Sequence, residues 1–175
     1  MEPSFQGGWP QLLGVSTLIL VTVGTQLAFD RLVEAVDLWV GKNPKERAFA
    51  QIGPAEYNPK HLESRDFVPP DQADALFQEA DLIVSHAGMG SILTALKYKK
   101  PILIMPRKAA LGEHRNDHQM ATAKWLGGRP GVTVAWEVDD VARLLDDRAT
   151  LRGGEGISEY ASSELIANLK KFIHS

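Results

Sequence analysis

Three short stretches carry residue types and spacings suited to anion and hydroxyl recognition. The first is Val23-Gly24-Thr25-Gln26, where a glycine lets backbone approach a ligand and a hydroxyl follows beside what reads as a helix start. The second, His86-Ala87-Gly88-Met89-Gly90-Ser91, puts two glycines and a serine at the mouth of a helix, where unpaired N–H groups and the positive dipole end attract phosphate. His86 is placed to donate to the same anion, the alternative being a turn residue bonded to backbone carbonyls. The third, Pro106 to Gln119, is a polar loop with His114, Asn116, Asp117, His118 and Gln119, rich in partners for sugar hydroxyls. His114 and His118 with Glu113 make only an incomplete metal set, so no metal is expected. The Gly-x-Gly pair lacks the third glycine and the acidic residue of a dinucleotide fingerprint, and the serine is not centred between glycines as in a nucleophile elbow.

Composition removes other chemistries. The 175 residues contain no cysteine, which excludes disulfides, thiolate-bound metal and thiol nucleophiles. Nineteen Lys and Arg against twenty-two Asp and Glu leave a net charge of −3, so no global basic excess favours nucleic acid. Locally, Lys97, Lys99, Lys100, Arg107, Lys108 and Arg115 outnumber Glu113 and form a candidate basic surface. Leu12 to Val23 is the most apolar stretch but is too short to span a bilayer, and no basic residue precedes it as in a secretory signal. The expected location is cytoplasmic.

The elements that must hold these loops follow from hydrophobic period. Val15 to Val23, Ala48 to Ile52, Leu82 to Ser85, Pro101 to Met105 and Val132 to Ala135 read as strands, with a short one over Asp66 to Val68. Between them helices are expected from Phe29 to Val40, from an Asp71 N-cap to Glu79, from Ser91 to Tyr98 and from Asn116 to Leu126. Val138 to Leu145 and Ser158 to Ile173 close the chain. The alternation predicts one domain over residues 15–175, an open doubly wound α/β sheet with a loose extension at 1–14. In such sheets ligands bind beyond the carboxyl ends of the strands, where all three stretches fall.

The succession Val21-Thr22-Val23-Gly24-Thr25 with Phe29-Asp30-Arg31-Leu32, Ala50-Gln51-Ile52-Gly53, Ser85 to Leu93, Pro106-Arg107 and Glu113 to Gln119 resembles the small Alg13-like and PssE-like (EpsF-like) glycosyltransferase subunits. It is similar to the C-terminal half of GT-B enzymes such as MurG, over about residues 17 to 173. The resemblance implies a mainly parallel, Rossmann-like sheet forming half of a GT-B fold. It implies binding of a UDP-sugar, with a membrane-associated Alg14-like or PssD-like subunit presenting a lipid-linked acceptor for (exo)polysaccharide or glycolipid synthesis. Such a chain would lie at the inner face of the membrane through its partner. Gly24, Thr25, Gly88, Gly90 and Ser91 would then approach the diphosphate, His118 and Gln119 the donor sugar, and His86 would be catalytic. The implied reaction is inverting displacement without cofactor or metal. Related chains often carry glutamate three residues after the serine, where this sequence has Thr94, which leaves a non-catalytic, nucleotide-binding or activity-enhancing subunit as the alternative. In the last segment, Ala161, Leu165, Ile166, Leu169, Phe172 and Ile173 make an apolar stripe expected to meet the partner.

Overall fold

The structure is a computed structural model and describes residues 17–156. The expected extension at 1–14 and the expected helix from Ser158 to Ile173 lie outside the described residues. Six parallel strands form one sheet: β1 (Leu18–Thr22), β2 (Arg47–Gln51), β3 (Glu63–Arg65), β4 (Leu82–His86), β5 (Ile102–Met105) and β6 (Val132–Val134). Their order across the sheet is β3-β2-β1-β4-β5-β6, so chain direction across the sheet reverses between β1 and β4. Four α-helices among the described residues lie between strands, α1 (Asp30–Lys42), α2 (Pro70–Glu79), α3 (Met89–Lys97) and α4 (His118–Leu126), and α5 (Val138–Asp146) follows β6. Among the described residues no helix is long and apolar enough to cross a membrane.

Strand alternation divides the core. Ile19, Val21, Val84 and Leu103 face α1 and α5 through Leu32, Val36, Trp39, Val141 and Leu145. Leu18, Leu20, Ile83 and Ile104 face α2, α3 and α4 through Leu76, Phe77, Ile92, Ala95, Ala123 and Leu126. Both faces are covered, which is why β1 and β5 are buried at every position rather than at alternate ones, and apolar throughout except at Thr22.

Three expectations need correction. The third strand is Glu63–Arg65, not Asp66 to Val68: backbone pairing with β2 makes it, while Val68 is a buried plug beyond its end. An edge strand needs no apolar side chains, so hydrophobicity points past it. Helix α2 has Pro69 at its N-cap and Pro70 in its first turn, so Asp71 lies inside the helix instead of capping it. Proline there gives up no helical hydrogen bond and presets φ. Helix α3 starts at Met89, two residues before Ser91, which draws Gly90 into regular helix.

Candidate functional site

At the carboxyl ends of β1 and β4, where the strand order reverses, a cavity of about 260 Å³ is lined by Val23 to Leu27, His86, Arg107, His114 and Gln119. This is the position at which doubly wound sheets bind ligands. Gly24 turns the chain out of β1 with φ +78°, a conformation costly for any other residue, so the loop stays close to the sheet end. Helix α1 begins only at Asp30, however, and that acid occupies its first turn. The β1 loop therefore presents its own backbone to the cavity, without the helix dipole expected beside Thr25.

His86 ends β4 and its ring is held between two glycines. A Cβ on Gly24 would lie 3.3 Å from His86 Cε1, and one on Gly88 would lie 2.1 Å from Nε2. Gly88 thus makes room for the imidazole. At Gly90, by contrast, a Cβ would meet nothing, and φ is not positive, so neither packing nor backbone strain within the chain requires a glycine there. Ser85 Oγ donates to Thr22 O at 2.9 Å, and His86 Nδ1 faces Ser85 Oγ at 3.3 Å and Thr22 O at 3.4 Å. With the serine proton committed and two oxygens in front of it, Nδ1 carries the hydrogen and Nε2 is the acceptor. Burial holds the ring neutral, pushing its pKa down to about 4 despite the Thr22 carbonyl, with Arg107 and His114 adding to the depression. A hydrogen bond from Nε2 to an anion requires the ring first to take up a proton.

Helix α3 follows with Gly88 as an N-cap that has no side chain, so the first-turn amides at Met89, Gly90 and Ser91 lack intrahelical acceptors. Gly88, Gly90 and Ser91 do not line the cavity itself; they stand on the helix that begins beside His86.

The third wall comes from the segment between β5 and α4. Gln119 is buried, and its Oε1 accepts from Arg107 N–H at 3.2 Å, leaving the amide nitrogen as a donor at the cavity. His118, its expected companion, is exposed at the first position of α4 and does not line the cavity; His114 does. The helical turn separates adjacent residues by about 100°, so the His-Gln pair cannot face one way. Arg107, grouped with a basic surface on sequence, is only 2% exposed, and Lys108 pairs with Glu137 at 2.6 Å. The six basic residues therefore do not make one surface. Glu113 is also removed from the histidines: its carboxylate receives Arg31 Nε at 2.7 Å and a second Arg31 nitrogen at 2.9 Å. Sequence reasoning missed Arg107 as a wall residue, although its position two residues after β5 was a usable signal, and it placed His114 in the hydroxyl-rich loop without assigning it to the site.

Comparison with known proteins gives the family and supports the fold. The sequence matches the glycosyltransferase family 28 C-terminal domain over residues 18–133. It is 31% identical over 118 residues to the human (Homo sapiens) UDP-N-acetylglucosamine transferase subunit ALG13, covering 62% of this chain and 10% of that protein. It is 34% identical over 112 residues to oleandomycin glycosyltransferase of Streptomyces antibioticus, covering 58% of this chain and 25% of that protein. The chain thus spans a quarter or less of these relatives. In fold, it is similar to a solution structure of ALG13, with a TM-score of 0.56 over 91% of this chain and 98% of that one at 18% identity. The glycosyltransferase of kitacinnamycin gives a TM-score of 0.62 over 86% of this chain and 39% of that one at 22% identity. A match running from β1 to β6, with the reversal of strand order and its cavity inside the matched span, places this chain in the glycosyltransferase family 28 C-terminal domain family.

Proposed function

We propose that this chain binds the UDP-sugar donor of an inverting glycosyltransferase and that a membrane-associated Alg14-like or PssD-like subunit supplies a lipid-linked acceptor. The observation that carries the reading is the juxtaposition at the β1–β4 reversal of a close backbone loop, the His86 ring and the uncapped start of α3. Together they offer a nucleoside diphosphate N–H donors and a residue able to become cationic. The cavity, about 260 Å³, is below the usual 300–1,000 Å³ of a small-molecule site, as expected of one wall of a cleft completed by another chain. The name of the ALG13 relatives supports both the UDP-sugar and the subunit arrangement.

In the proposed reaction the acceptor hydroxyl attacks the anomeric carbon, the bond from that carbon to the β-phosphate oxygen breaks, and UDP leaves with the electron pair. The hydroxyl proton passes to a base on the acceptor side. Negative charge grows on the diphosphate, where α3 amides and a protonated His86 would stabilise it without a metal. Gln119 would pair with a hydroxyl of the donor sugar through its amide nitrogen. The alternative, a nucleotide-binding subunit without chemistry of its own, draws on Thr94, whose hydroxyl donates to Gly90 O at 2.9 Å and is thereby engaged within the helix.

Calorimetric titration with UDP tests the site. The wild-type chain should bind, and Gly90→Val should keep its melting temperature within a few degrees, because the new side chain meets nothing in the chain, while weakening UDP at least tenfold if the diphosphate sits against the α3 amides. Unchanged affinity in that folded variant removes α3 from the site. Co-expression with the membrane subunit and assay over a panel of UDP-sugars then tests the two-chain arrangement; transfer by this chain alone counts against it.

A further inference from the structure

We infer that Arg107 is a positioning residue that latches the two loops walling the cavity, rather than a cation that holds the ligand. The inference rests on the reading of this cavity as the donor site. Arg107 Nη2 donates to Val23 O at 2.8 Å and Leu27 O at 2.7 Å, and Nη1 donates to Ala28 O and to Glu113 O at 3.2 Å. A guanidinium has five N–H donors, and the four on its terminal nitrogens are all committed to backbone carbonyls. No two-pronged grip on a phosphate is left to it. Its flat face lies over Phe29, with the guanidinium carbon 4.7 Å from the ring centre.

The carbonyls of Val23 and Leu27 bracket Gly24, Thr25 and Gln26, so one side chain pins both ends of the β1 loop. The same side chain reaches Glu113 O in the β5–α4 segment. Glu113 closes the circuit through its carboxylate, which accepts from Arg31 on α1 and from Lys108 N–H at 2.8 Å. Arg31 also donates to Pro106 O at 3.3 Å. The two walls are thus tied to each other by two arginines and one glutamate; His114 lies in the tied segment, and Gln119 in the first turn of α4 that follows it. Lysine carries the same charge but lacks the planar fork, so it cannot serve four carbonyls in this arrangement.

Arg107→Lys in the full chain separates a latch from a ligand-binding charge. Hydrogen exchange in the ligand-free protein should accelerate at least tenfold in the 24–28 and 107–117 segments, with β4 and β5 unchanged, and UDP affinity should fall at least tenfold. Unchanged loop exchange overturns the inference, and so does UDP affinity within twofold of wild type. If Arg107→Lys shows no cooperative melt, Glu113→Gln reads the same latch, because it keeps the Glu113 carbonyl and weakens the Arg31 pairing. Exchange in both segments should then rise at least threefold, and no rise overturns the latch. A wild-type chain that binds no UDP sinks the donor-site reading instead, since the exchange comparison needs no ligand.

Discussion

His86 shows how a single residue's chemistry is set by its neighbours. Its ring is neutral because burial penalises the charged form, which lowers the pKa from 6.5 to about 4. Between those values the unfolded chain binds a proton that the native chain refuses, so stability rises with pH across that window and falls as acid is added. The shift corresponds to at most about 3 kcal/mol at this site. Urea unfolding at pH 7 and pH 4.5 should therefore show a smaller acid-induced loss in His86→Asn than in the wild type. Equal losses in the two proteins would mean that the ring titrates normally in the native state. The same depressed pKa gives ligand binding a signature, since an anion seated against Nε2 would favour proton uptake.

At the scale of elements, the loop between β2 and β3 is held by one buried carboxylate on α1. Asp37 is fully buried and accepts from the backbone N–H groups of Lys60 at 3.0 Å, His61 at 2.7 Å and Leu62 at 2.8 Å, and from the Tyr57 hydroxyl at 2.8 Å. Burial pushes its pKa up, but these bonds outweigh it and the net direction is down. Tyr57 moves the other way, to about 12, through its own burial and the adjacent carboxylate. Asp37→Ala would strand four donors, so it should cost at least about 3 kcal/mol in urea unfolding. A loss below about 1 kcal/mol would show that water replaces the carboxylate. The apolar period of α1 was plain in the sequence, yet it did not reveal that Asp37 points inward. That depends on where the 57–62 segment passes, which no local pattern encodes.

Among the described residues one sheet carries a cluster on each face, and both clusters draw on β1, β2, β4 and β5. Ile83 and Leu103 are both 0% exposed and point to opposite faces. Leu103→Ala should lower stability by about 2–5 kcal/mol, the usual range for a buried leucine that leaves a cavity. Because the faces are joined through the backbone of the sheet, circular dichroism and tryptophan fluorescence should still report one coincident transition. Separate midpoints would show that the faces unfold independently.

The apolar runs of β1, β4 and β5, the alternation with helices, the doubly wound class and the glycine-marked loops were legible in the sequence, because each depends on local period and turn chemistry. Tertiary structure alone decided the rest. It placed β3 on a polar stretch, because an edge strand is made by backbone pairing with β2. It set Gly88 against the His86 ring and drew Gly90 into a helix, so of these two glycines only Gly88 is required by packing within the chain. It turned His118 outward, brought His114 to the cavity, and converted Arg107 from an apparent surface charge into a buried tie between loops. These outcomes depend on which backbone carbonyls and ring faces converge from segments far apart in the chain, and spacing along the sequence carries no record of that convergence.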